Sequence, residues 1–244
     1  MLQDYSKYTA EDHRVWSILY NRQMNNLPTL ASQAYLDGID KCGFVPERVP
    51  NFSEINKALA LATGWKMFGV SGLIDNKPFF EHLSRKEFPA TTWLRSMEQL
   101  DYLEEPDMFH DTFGHISLLS EQSFCDYLQG LSKITLEYID NPLAVELIAR
   151  MYWYTVEFGL IKEDGLKIYG AGILSSSGES LYSVSDEATH LPFDPEEILA
   201  TEYIKDKFQT QYFVIDSYEQ LYKSLPVIRS IVQRDCCKTS FQAA

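Results

Sequence analysis

The stretch from Asn141 to Ile161 constrains this chain more than any other. Asn141-Pro142 is a helix start signal, with proline at the first helical position, where its missing N–H costs nothing. Behind it Ala144, Leu147, Ile148, Met151, Thr155 and Phe158 recur at spacings of three and four, the period of a helix with one buried face. Such a helix needs a core to cover it. A chain of 244 residues, 45% hydrophobic and 14% aromatic, can build one sizeable core but not comfortably two.

The remaining punctuation is also mostly helical. Thr9 and Asp12 open a helix carrying Val15, Trp16 and Leu19, and a second runs from about Leu30 to Lys41 and stops at Gly43. Ser53 is expected to cap a third, through Ile55, Leu59 and Ala62, which Gly64 ends. FFEHLSRKEF predicts a helix stopped by Pro89, and further helices are expected over 107–116, 123–138, 142–161, 194–203 and 218–232. Strand signals are few: MFGVSGLI as a strand or extended loop, a hairpin around Asp164-Gly165, and QYFVI at 211–215. The expected fold class is mostly α with a small β component, in a single domain spanning 1–244.

No run of eighteen apolar residues exists, and the N-terminus MLQDYSKYTAEDHR lacks a signal-peptide core, so a cytoplasmic protein is expected. The net charge of −14 argues against a nucleic-acid partner or an anionic membrane surface. Cys42, Cys125, Cys236 and Cys237 have no zinc-ligand spacing and read as free thiols.

Chemistry concentrates in three segments. In PDMFHDTFGHISLL, His110 and His115 are five residues apart, which on an ideal α-helix separates their side chains by about 140°. They converge only if the helix ends or loosens near Gly114; otherwise they are two unrelated histidines near a helix end. Two imidazoles with one carboxylate and open positions suit ferrous oxygenase chemistry. Glu157 projects off the apolar stripe of the 142–161 helix beside Trp153 and Ile161, either as that carboxylate or as a salt-bridged structural glutamate. The third segment, YGAGILSSSGES, is rich in glycine and serine. It permits close backbone approach or simply a tight turn, and it lacks phosphate-loop spacing.

Together EEPDMFHDTFGHISLL, MYWYTVEFGL and YGAGILSSSGES resemble, in order and separation, the three signature segments of the pterin-dependent aromatic amino acid hydroxylases. ATGWKMFGVSGLI followed by FFEHLSRKEFPATTWLR is similar to the short bacterial phenylalanine 4-hydroxylases, and the resemblance runs from about Tyr8 to Ser224. It implies the catalytic fold alone, without a regulatory or tetramerisation domain, as a monomer or weak oligomer. It also implies Fe(2+), a tetrahydropterin (tetrahydrobiopterin or a relative) and O2.

Residue by residue, the resemblance makes His110, His115 and Glu157 the metal ligands and catalytic centre. Gly72, Leu73, Ile74, Phe79 and Asp111 correspond to the pterin site, and Arg95, Tyr102, Trp153 and Ser175 to the amino acid pocket, with Arg95 on the substrate carboxylate. Tyr152 and Glu179 correspond to positions near the iron that either support its ligands or line the pocket. Trp153 resembles the phenylalanine and tyrosine hydroxylases rather than the tryptophan enzymes, so phenylalanine to tyrosine is the expected reaction. The same chemistry on tryptophan or tyrosine is the alternative, and a catalytically inactive metal- or pterin-binding protein is the alternative of another class. Three positions depart from the family pattern: Ser117 and Thr210 replace prolines, and Lys205 falls where relatives carry an apolar or acidic residue. A lysine reaching the pocket would need a counter-charge.

Overall fold

A computed structural model describes residues 2–101, 103, 105–205 and 207–242, with side chains described through 237. The chain runs through α1 (Ala10–Met24), α2 (Leu27–Leu30), α3 (Gln33–Cys42), α4 (Phe52–Ala62), β1 (Lys66–Val70), α5 (Asn76–Ser84) and β2 (Glu87–Thr91). It continues through α6 (Gln122–Glu137), α7 (Pro142–Tyr152), β3 (Leu160–Glu163), β4 (Gly165–Ile168), α8 (Ala171–Leu174), α9 (Ser177–Tyr182), β5 (Thr189–Pro192), α10 (Pro195–Ala200), β6 (Gln211–Ile215) and α11 (Tyr218–Gln242). The mostly helical architecture follows the sequence pattern. Thr9 and Asp12 form a reciprocal capping box on α1, Gly43 ends α3 at φ 68°, and Asn141 caps α7.

Several boundaries differ from expectation for identifiable reasons. The second helix breaks at Ala31, whose backbone bridges to Ile168, and Ser32 caps the restart as α3. Asn51, not Ser53, caps α4. The helix expected up to Pro89 stops at Ser84, Lys86 takes φ 62°, and the chain then forms β2, which contains Pro89. β1 and β2 pair in parallel with α5 as the crossover, and two strands leave each with an open edge where proline's missing N–H is tolerated. The 142–161 helix ends near Glu157 because Leu160 and Ile161 enter the second sheet. α10 stops at Ala200 rather than Tyr203, α11 runs past Val232 to Gln242, and β5 has no clear sequence signal.

That sheet has the order β4-β3-β6-β5, with β3 and β4 as the expected hairpin and both β3–β6 and β5–β6 parallel. The core includes Trp16, Tyr35, Phe109 and Phe113, with Phe109 and Phe113 stacked at 4.7 Å and Trp16 edge-on to both. Phe109 and Phe113 belong to the same segment, Phe109–His115, that carries the two histidines.

Candidate metal centre and its two cavities

The histidines converge through a change of winding. Phe109–His115 is a π-helical segment, followed by a 3-10 turn over Ile116–Ser120. Its i→i+5 hydrogen bonds bring residues five apart to one face, which an α-helix would not do. A second π segment, Trp153–Glu157, ends α7 and carries the carboxylate; Phe158 N–H donates to the Trp153 carbonyl at 2.8 Å. Each segment holds a buried threonine bonding back four residues: Thr112 Oγ1 to the Met108 carbonyl and Thr155 Oγ1 to the Met151 carbonyl, both 2.6 Å. Such back-bonding competes with the regular ladder and bends helices.

His110, His115 and Glu157 each aim one donor atom inward, all within 4.8 Å of one another. His115 Nε2 is 3.2 Å from Glu157 Oε1, His110 Nε2 is 3.6 Å from Oε2, and the two Nε2 atoms are 3.3 Å apart. Ser175 Oγ donates to the Ala171 carbonyl, so it accepts from His110 Nδ1–H at 2.9 Å, leaving the lone pair on Nε2. Two imidazole nitrogens 3.3 Å apart, each also facing a carboxylate oxygen, form a buried set of donor atoms that one cation would share. The donor set therefore fits a divalent transition metal with open positions. Burial lowers the His110 pKa, favouring the neutral, ligating form. Burial alone would raise Glu157, but the two imidazoles and the Gly172 backbone outweigh it and hold the carboxylate ionised.

The glycine-rich third segment makes this approach possible. A Cβ on Gly170 would lie 2.4 Å from both the Glu157 carbonyl oxygen and the Gly159 nitrogen, and one on Gly114 would lie 2.8 Å from the Ala171 carbonyl oxygen. Helix α8 thus rests on both π segments at backbone distance. The segment is more than a tight turn: it forms α8 and α9, with Ser176 capping Glu179.

Two cavities meet at His110. The smaller, about 140 Å³, is lined by Gly72, Leu73, Ile74, Phe79, Asp111 and Tyr152 together with His115 and Glu157. Asp111 is fixed there by the Thr91 N–H at 2.7 Å, and burial raises its pKa. The larger, about 650 Å³, is lined by Arg95, Ser175 and Glu179, and also by Phe158 and Lys205. Glu179 accepts from Tyr212 Oη at 2.7 Å and the Gln209 N–H at 3.1 Å, and burial raises its pKa. Trp153 lines neither cavity; it stacks one layer back, on Phe158. Tyr102 lies outside the described residues. Ser117 is fully buried with its hydroxyl unpartnered among the described residues.

Asp107 escaped the sequence reading. Fully buried, it accepts from Arg95 Nε at 2.8 Å, Arg95 Nη2 at 2.9 Å, the Arg95 N–H at 3.0 Å and the His110 N–H at 3.2 Å. It aims the guanidinium and caps the π segment at once. An aspartate three residues before His110 is a helix-start signal that could have found it.

Comparison with known proteins agrees with this geometry. The family described as biopterin-dependent aromatic amino acid hydroxylase matches residues 4–239. The phenylalanine-4-hydroxylase of Chromobacterium violaceum is 47% identical over 222 residues, 90% of this chain and 74% of that protein. The enzyme of the same name from Ralstonia nicotianae is 47% identical over 224 residues, 91% of this chain and 71% of that one. A crystal structure of the C. violaceum enzyme with bound iron(III) and 7,8-dihydrobiopterin superimposes with a TM-score of 0.90 at 45% identity, covering 96% of this chain and 86% of that one.

Proposed function

Because the chain belongs to the biopterin-dependent aromatic amino acid hydroxylases, we propose that its reaction is the hydroxylation of free phenylalanine to tyrosine. The observation that carries this reading is the three-donor cluster of His110, His115 and Glu157 standing where two cavities meet, one sized for an amino acid and one for a flat ring. Relatives named phenylalanine-4-hydroxylase at 47% identity support the choice of substrate.

His110, His115 and Glu157 would hold the iron, and bound iron and tetrahydropterin would supply the electrons and the site for splitting O2. The protein's own part is positioning and exclusion of water. Ser175 holds His110 in the ligating tautomer. Gly72, Leu73, Ile74 and Phe79 wall the pterin's cavity, and Asp111 offers a carboxylate to its ring N–H groups. Arg95, aimed by Asp107, takes the substrate carboxylate through its remaining N–H donors. Glu179 and Tyr152 close the two cavities behind these groups. The aromatic ring is thereby delivered toward His110 rather than to solvent, and orientation of this kind supplies much of an enzyme's rate.

We place the work in a single catalytic domain acting as a monomer or weak oligomer in the cytoplasm, on small molecules and not on nucleic acid or membrane. Among the described residues no helix is long and apolar enough to cross a membrane. The test supplies iron-loaded protein with O2, a tetrahydropterin and phenylalanine, tyrosine or tryptophan in separate reactions, with products read by mass. Tyrosine from phenylalanine as the fastest product supports the reading. Product from tryptophan alone, or none from iron-replete protein, contradicts it.

A further inference from the structure

A continuous stack runs from solvent to the wall of the larger cavity. Lys205 Nζ sits 5.6 Å from the centroid of the Tyr203 ring. Tyr203 lies on the Trp153 indole at 4.5 Å with 22° between planes, and Trp153 lies on Phe158 at 4.7 Å and 29°. Tyr203 and Phe158 both stack on the indole without stacking on each other, which leaves them on opposite faces. Trp153 is therefore sandwiched, and Phe158 is the member of the aromatic stack that reaches the cavity. The π winding makes this possible, since Trp153 and Phe158 are five residues apart, like the two histidines.

Phe158 is also held at its ring edge, against Gly172. A Cβ on Gly172 would lie 2.9 Å from Phe158 Cζ, so the ring already fills the space that glycine leaves. The cavity wall at Phe158 is backed by Trp153, and Trp153 in turn by Tyr203. Aromatic stacking and the lysine charge over the Tyr203 ring both favour this arrangement. Lys205 itself lines the larger cavity, and among the described residues it forms no carboxylate ion pair; its charge lies over the Tyr203 ring.

We propose that Tyr203, held under Lys205, is a specificity-determining positioning residue that fixes Phe158 through Trp153 and so limits the size of ring the cavity admits. This rests on the larger cavity being the amino acid's. Without the Tyr203 ring, one face of the indole is freed, Trp153 and Phe158 can retreat, and a bicyclic ring gains room. Size discrimination by apolar pockets is modest, so the expected change is about tenfold.

The test measures equilibrium affinities for phenylalanine and tryptophan by calorimetry, with kcat and KM for both and KM for the pterin. It uses the wild type, Tyr203→Phe, Tyr203→Leu and Lys205→Met. Tyr203→Leu should shift the affinity ratio toward tryptophan by about tenfold with pterin KM unchanged, and Tyr203→Phe should keep the wild-type ratio. Lys205→Met, at an exposed position, should shift the ratio the same way by about twofold to threefold, and it carries the test should Tyr203→Leu not fold. A lowered melting temperature with an unchanged ratio in both variants would overturn the proposal and leave Tyr203 a merely structural residue. A wild type that binds phenylalanine without converting it would refute the hydroxylase reading instead, since the affinity ratio still reports on the wall.

Discussion

Replacing Asp107 separates the aiming of Arg95 from its mere presence. The carboxylate is fully buried and accepts four hydrogen bonds, three of them from Arg95, whose side chain is only 12% exposed. Removing one partner of such a pair costs about 3–5 kcal/mol, because the other charge stays buried. Loss of the cap on the His110 N–H adds about 1 kcal/mol. Asp107→Ala would thus remove much of a typical domain's stability of about 5–15 kcal/mol. Asp107→Asn keeps the shape and one acceptor oxygen and loses the charge, so a cost of about 2 kcal/mol is expected, in the range of a charged hydrogen bond. Urea unfolding reads that cost, and separate KM values for phenylalanine and tetrahydropterin at matched iron content read the function. KM for phenylalanine should rise about tenfold, as expected for lost uniform binding, while pterin KM stays within about twofold. A destabilised Asp107→Asn enzyme with an unchanged phenylalanine KM would refute the reasoning, and so would one in which both KM values rise equally.

Three further outcomes follow from the same contacts. Ser175→Ala should lower equilibrium iron affinity by about 10–100-fold, through loss of the hydrogen bond that sets the His110 tautomer, while the fold persists by circular dichroism. Gly170→Ala places a Cβ against the Glu157 backbone and should cost about 1–3 kcal/mol in urea unfolding, with iron retention falling in parallel. Glu87 is held down to about 2 by Lys66 and His82, below the value of about 4.3 for an unfolded glutamate, so its stabilisation is complete above about 4.3 and is lost as pH falls toward 2. Glu87→Gln should therefore flatten the acid side of the stability profile in that window, and an unchanged profile would remove the ion pair from the account.

The sequence made the helices and the donor residues legible, but not the winding that joins them. Periodicity marked Ala144 to Phe158 as a buried face, and all six stripe positions are buried, but the α period holds only as far as Met151, beyond which the π segment buries Tyr154 and Val156 as well. The same α geometry argued against His110 and His115 as a pair, since π winding depends on Thr112, Thr155 and the backbone contact of α8, which no local pattern announces. Pro89 misled in the same way: its role in β2 depends on β1 pairing with it across the α5 crossover. Trp153 could be identified as important from resemblance alone, yet its place behind Phe158 depends on Tyr203, fifty residues away. Asp107 carried a readable helix-start signal, but its grip on Arg95 is a tertiary contact.

The most direct test of the metal centre compares iron binding and tyrosine formation on the same samples of wild type and Glu157→Ala. The wild type should bind one iron per chain and convert phenylalanine to tyrosine, whereas Glu157→Ala should fold, bind iron weakly and form no tyrosine even when excess iron is supplied. Near-normal iron content and tyrosine formation by Glu157→Ala would contradict the assignment of His110, His115 and Glu157 as the catalytic centre.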